Sequence, residues 1–286
     1  SGGARSGPLT WLSFWAKYPG GGAAAGQSPS AVATGGALGY QRLMLSHLRD
    51  QGYDILTRNH AEAILAQDFP RELELLCQVI GEFRIALDEV VRGGGGEAGL
   101  TQRLRHELSD LNWRKHKFSV ETVVDGRARA GISHEVDHVK FAEAGALALE
   151  IEWNNKDPFF DRDLENFQRL HALSAISVGV IVTRGASMQE AVLKRITEWM
   201  RGEGLVSEED LDRLEIGART AAQRRAVADQ VARGVPFADA FARKFVADKF
   251  GQATTHWAKL EDRVQRGVGN PCPLLLIGLP VSILVE

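Results

Sequence analysis

Glu150-Ile151-Glu152-Trp153-Asn154-Asn155-Lys156-Asp157 ends an apolar run, Ala146-Leu147-Ala148-Leu149. Residues two apart in a strand point to the same face. Glu150 and Glu152 therefore project together, while Leu147, Leu149 and Ile151 fill the opposite face. Upstream lies Ser133-His134-Glu135-Val136-Asp137-His138. If 131–139 and 146–153 pair as a hairpin, Asp137 faces the same two glutamates. Carboxylates that converge on one spot repel each other unless a divalent cation lies between them. Hard oxygen donors suit magnesium. Magnesium held in this way usually serves phosphate chemistry.

The rest of the chain narrows the class. Its 286 residues hold one large domain or two small ones, and 44% apolar with 25% charged residues is the balance of a soluble globular protein. The net charge of -3 supplies no bulk attraction for nucleic acid, so a basic surface must be local. Local clusters are Arg114, Lys115 and Lys117; Arg224 and Arg225; and Arg243, Lys244 and Lys249. Cys77 and Cys272 stand in unrelated contexts, with neither zinc nor redox spacing. Trp11 to Ala16 is too short for a signal core, and Pro273 to Val285 is too short for a membrane span and contains Pro280. A cytoplasmic protein without membrane contact is the expectation.

Residues 1–36 read as an N-terminal segment with a Gly/Ala/Ser-rich linker, and 37–286 as a single domain. Helices are expected over 38–51, after Asp68-Phe69-Pro70, over 98–112, from a cap at Asp161, over 190–201, and across 218–250 with a break at Gly234-Val235-Pro236. Ser207-x-x-Asp210 resembles a capping box. Strands are expected at 117–124, 131–139, 146–153, 175–183 and 273–284. Gly93 to Gly96 lack the Lys-Ser/Thr that would make a phosphate cradle. This order gives an α/β protein with a central mixed β-sheet flanked by helices.

An acid, a gap, then acid-x-acid or acid-x-Lys on a strand resembles the core of the PD-(D/E)xK nuclease superfamily. A longer match is more specific. Glu-Ile-Glu-Trp-Asn-Asn-Lys-Asp-Pro-Phe-Phe-Asp-Arg-Asp-Leu, residues 150 to 164, is similar to the active-site segment of type II restriction endonucleases of the BglII and BstYI kind. So are Ser177-Val178-Gly179-Val180-Ile181-Val182-Thr183-Arg184 and Phe250-Gly251-Gln252-Ala253-Thr254-Thr255-His256-Trp257. Upstream, Gly93-Gly94-Gly95-Gly96-Glu97 and Thr101-Gln102-Arg103-Leu104 share the likeness, which runs from roughly residue 55 to the C-terminus. The lysine usual in the superfamily is Glu152 here. BglII-like and BamHI-like enzymes also lack that lysine, so activity is still implied and the general base stays open.

The resemblance implies a restriction-endonuclease-like core and a sequence-specific double-strand DNA endonuclease. It implies Mg²⁺, with Mn²⁺ as a substitute and Ca²⁺ as an inhibitor, a homodimer on a palindromic site, and a cognate DNA methyltransferase protecting host DNA. Asp137, Glu150 and Glu152 are the expected catalytic and metal-binding residues. A fourth acid is sought on the preceding helix, at Glu107 or else Glu97. Glu152 accepts a proton from water directly or acts as a metal ligand. Expected DNA contacts are Asn154, Asn155 and Lys156 beyond the metal strand, Arg184 after the next strand, Thr254, Thr255 and His256, and Lys244. The alternatives are another PD-(D/E)xK nuclease, such as a nicking repair enzyme or junction resolvase, and a non-catalytic DNA-binding module with a relic metal site.

Overall fold

A six-stranded mixed sheet divides the protein into two apolar layers. The computed structural model describes residues 44–92, 99–121, 123–128, 131–216 and 219–286. Helix α1 (44–50) leads into β1 (Asp54–Arg58), α2 (Ala61–Asp68), α3 (Pro70–Glu82), β2 (Ile85–Ala86), α4 (Leu87–Arg92) and α5 (Gly99–Asp110). The middle of the chain carries β3 (Arg114–Val120), β4 (Val123–Val124), β5 (Arg127–Ala128), β6 (Ile132–Ala142), β7 (Gly145–Glu152) and α6 (Phe159–Ala172). Then come β8 (Val178–Arg184), α7 (Ala186–Gly202), α8 (Glu208–Arg213), α9 (Ala221–Val231), α10 (Phe237–Lys249), α11 (Trp257–Gln265), β9 (Leu274–Leu279) and β10 (Leu284–Val285).

The strand order is β1-β9-β8-β7-β6-β3. The central strands β7, β8 and β9 run parallel to one another, while β1, β6 and β3 pair antiparallel. Every residue of β8 and β9 is buried, as expected of strands covered on both faces. Leu147, Leu149 and Ile151 join Val178, Val180, Val182, Leu275 and Ile277 in one core, beneath the helices on that side. The alternate residues Ala146, Ala148, Ile181, Leu274 and Leu276 enter the other core with Phe160, Leu164 and Phe167 of α6 and Leu260 and Val264 of α11. Each fully buried side chain of this kind contributes about 1.5–3 kcal/mol. The even-numbered face of β7 therefore looks toward α6, and Glu150 and Glu152 are on that face.

Close approach of α6 to the sheet depends on Gly179. A Cβ there would lie 2.4 Å from Phe167 Cδ2. Gly179→Ala is expected to destabilise by about 1–3 kcal/mol through overpacking. Urea titration should show an unchanged slope and an earlier midpoint.

Several boundaries differ from the sequence reading. β1, α2 and the pairing of β10 with β2 were not anticipated. The strand expected at 117–124 starts earlier and stops at Val120, and β4 and β5 form a separate two-stranded ribbon. The final strand ends at Leu279 because Pro280 has no N–H to donate to the ladder. Asp161 is not the cap of α6. The helix begins at Phe159, and Asp161 bonds Arg263 Nε at 2.8 Å. The capping box of Ser207 and Asp210 is present. The expected N-terminal linker and the glycine run 93–96 lie outside the described residues, as does Glu97.

Candidate active site

The site opens where β6 parts from β7. Their pairing runs from Ala142↔Gly145 to His138↔Leu149 and stops there. On its other side β6 carries an irregularity, since Arg114 pairs Val139 while His116 pairs Val136. A bulge re-aims side chains and ends pairing. Asp137 sits within it. Its backbone N–H donates to Glu150 Oε1 at 3.3 Å. Its carboxylate turns toward α5 and β3, where Arg105 Nη2 stands 3.0 Å away and Lys115 Nζ 3.9 Å away. His138 points to the alternate face and is buried, its Nδ1 3.3 Å from Leu149 O. Burial pulls its pKa down to about 4, so it is a neutral core histidine.

Glu150 and Glu152 are only 6% and 3% exposed. Burial, then the charges of Asp163 and Asp137, push Glu150 up to about 9. Burial, then Asp163, push Glu152 up to about 8. Asp163 is the acid that the sequence reading missed. It comes from α6, is 1% exposed, and faces Glu152 carboxyl to carboxyl. A signal was available, because Asp163 lies on the same helical stripe as Phe160, Leu164 and Phe167, where an acid breaks the apolar pattern.

Arg162 offsets part of this charge. Its Nε and Nη2 are each 2.8 Å from Asp163 Oδ1, and Nη2 is 3.5 Å from Glu152 Oε1. The guanidinium covers the Phe159 ring at 4.3 Å and stays 53% exposed. Asn155 donates its amide N–H to Glu152 Oε2 at 2.7 Å. The structure thus binds Asn155 first to the strand-end glutamate. Asn154 is half-buried, and Lys156 is exposed and bridges Thr254 through its backbone.

The segment around Thr254 packs against this strand end. Thr255 N donates to Asn155 O at 2.8 Å, and Asp157 N donates to Ala253 O at 3.1 Å. Arg184 locks the arrangement. It is 0% exposed and donates from Nε to Trp153 O (2.7 Å), and from Nη2 to Thr254 Oγ1 (2.7 Å) and Thr255 O (2.6 Å). Nη1 bonds Gln189 Oε1, and the guanidinium lies 4.8 Å from the Phe250 ring centre. Burial lowers its pKa to about 9. With acceptors on all three nitrogens it remains the charged donor of the group.

These placements give several of the expected DNA contacts partners within the protein. Arg184 has no exposed edge to offer a base. Thr255 and His256 are buried, and Thr254 spends its hydroxyl on Gly251 O and Arg184. Lys244 is bonded to Asp248, which also accepts from Gln223. Glu107, the expected fourth acid, is raised by burial and then feels the charges of Arg103, Glu82 and Asp110. Arg184→Ala would strand the carbonyls of Trp153 and Thr255, at about 1–3 kcal/mol for each buried group left unpaired. Its expected signature is a lower melting temperature, with equal weakening on cognate and scrambled DNA. Selective loss on cognate DNA in a fully stable variant would restore Arg184 as a base reader.

The donor set fits a hard divalent cation. All its members are carboxylates, and Asp163 Oδ2 is buried without a hydrogen-bond partner. In this arrangement, among the described residues, no three potential ligands stand close enough to enclose a metal ion. Asp137 is held by Arg105 and Lys115, and Asp163 by Arg162, so closing the set requires those ion pairs to yield.

The acids at the open end of β7, carried on a six-stranded mixed sheet with helices on both faces, define a restriction-endonuclease-like α/β protein. The family profile described as Restriction endonuclease BglII/BglIII matches residues 53–279, and the chain belongs to that family. It is a type II site-specific deoxyribonuclease, a class that binds DNA and works with a divalent metal. No curated protein matches the chain. Among the described residues no helix is long and apolar enough to cross a membrane.

Proposed function

We propose that the enzyme hydrolyses double-stranded DNA at a palindromic site, as a cytoplasmic homodimer, with Mg²⁺ held by Asp137, Glu150 and Glu152. The observation that carries this reading is the buried acid group on β7 and α6, bordered by the cations of Arg105, Lys115 and Arg162 and the exposed Lys156. Mg²⁺ bound there supplies activation of water and stabilisation of the leaving oxygen.

The chain's own groups do the rest. Glu152, ionised once the cation is bound, accepts a proton from the attacking water, directly or as a metal ligand. Asn155 fixes its Oε2 and so its orientation. Arg105, Lys115 and Arg162 exchange their carboxylate partners for DNA phosphates as the strand settles. This local basic rim explains how a chain of net charge -3 engages a polyanion. A palindrome cut on both strands calls for two sites related by a two-fold, which a C₂ dimer supplies. A methyltransferase of the same specificity would shield host DNA.

Plasmid digestion with Mg²⁺, followed by sequencing of the ends, tests this. Discrete fragments with one self-complementary terminus are expected. Mn²⁺ should substitute, and Ca²⁺ should permit binding without cutting. Scattered nicks would point to a repair-type nuclease. Cleavage in excess chelator would remove the cation from the mechanism, and a monomer on cognate DNA in sedimentation would remove the dimer.

A further inference from the structure

We infer that Asp163 is a fourth cation-binding carboxylate of this site, supplied from α6 rather than from the helix that precedes the metal strands. The inference rests on the cation reading above. Asp163 occupies a core position, one turn from Phe160 and Phe167, where an apolar residue would pack without penalty. An acid kept there solely to pair Arg162 would use both oxygens, as a fork or with a second donor. Both short contacts from Arg162 instead reach Oδ1. Oδ2 receives no N–H from any neighbour, although it is buried, and the polar group that Asp163 meets besides Arg162 is the Glu152 carboxyl. It belongs to the carboxyl that faces Glu152, and the charge of Asp163 acts on Glu150 as well. Two buried carboxyls facing each other need a proton or a cation between them. A divalent cation satisfies Oδ2 and Glu152 together. In that role Arg162 competes with the cation for Asp163, and is freed for phosphate when the cation binds.

Mn²⁺ binding to the full chain, measured by calorimetry without DNA, tests this apart from turnover. Asp163→Asn keeps the shape and removes the charge. It is expected to weaken Mn²⁺ by at least about tenfold, since even partners that only hold a metal's ligands are worth about ten- to a hundredfold. Arg162→Met removes the competitor and is expected to tighten Mn²⁺ severalfold. Wild-type affinity in Asp163→Asn, or unchanged or weaker affinity in Arg162→Met, overturns the inference and leaves Asp163 as a structural partner of Arg162. Should Asp163→Asn fail to fold, the arginine variant alone decides. Glu150→Ala separates the two levels of the argument. Loss of Mn²⁺ there, with retention in Asp163→Asn, sinks only this inference. A wild-type protein that binds no Mn²⁺ sinks the cation reading with it.

Discussion

Asp137→Asn and Glu150→Ala are expected to lower DNA cleavage by about 10²–10³ or more, the scale for removing one preorganised electrostatic group from an active site. DNA binding should hold or tighten in the same variants. The reason is the sign of the charge removed. In the proposed site both side chains lie near the scissile phosphate, and each negative charge lost there reduces repulsion. The variants should also fold. Asp137 is partly exposed at a bulge, so its amide is accommodated without new burial. Glu150 is buried with its charge disfavoured, so truncation removes a liability as well as a contact. The check pairs single-turnover rates in Mg²⁺ with duplex affinity in Ca²⁺. A folded variant that cuts at near wild-type rate would show that its carboxylate is not part of the machinery. Glu152→Lys recreates the common superfamily pattern, yet loss is expected there too. A second cation would be forced between Asn155, Arg162 and Asp163, where the structure places a carboxylate.

What the sequence disclosed, and what it hid, follows from the range of the interactions. The period-two alternation of β7 placed Glu150 and Glu152 on one face, because pleat geometry is local. β8 and β9 were legible as unbroken apolar runs. The bulge at Asp137 was not, since it is defined by the register with β3 and turns the carboxylate toward Arg105 instead of into the pair. Arg184 shows the same limit. An arginine after a strand reads as a surface cation, and only the return of residues 253–255 against 155–157 encloses it. The fourth acid was sought on the helix before the strands, and Glu107 has the right residue type. The charges that act on it in the fold are those of Arg103, Glu82 and Asp110. Asp163 could have been noticed on the stripe of α6, but its meeting with Glu152 depends on how that helix is seated on the sheet over Gly179.

Metal-free enzyme is expected to lose stability as pH rises from about 5 to 9, and Mg²⁺ is expected to abolish that loss. Glu150 and Glu152 are raised to about 9 and about 8 from the ordinary glutamate value of 4.5. The folded state therefore holds protons that the unfolded chain has already released. Such groups contribute stability that is fully present below the unfolded pKa and is lost as pH rises through the folded pKa. The window thus opens near 4.5 and closes near 8 to 9. Across it, the cost of holding each buried carboxylate ionised without a partner is on the order of several kcal/mol. For a chain of this size each kcal/mol moves the melting temperature by about 2–4 °C. A cation binds the ionised carboxyls, so it repays the repulsion and expels the protons, and the slope with pH should vanish. Glu150→Gln carries no titrating proton at that position. In chelator it should melt several degrees above wild type at pH 9, match it near pH 5, and gain little from Mg²⁺. Thermal denaturation of both proteins across this pH range, in chelator and in Mg²⁺, reads all of these at once. A flat wild-type profile in chelator, or a Glu150→Gln profile as steep as wild type, would mean that the raised carboxyls do not couple to folding. The cation would then have to act on DNA alone, without relieving any strain built into β7.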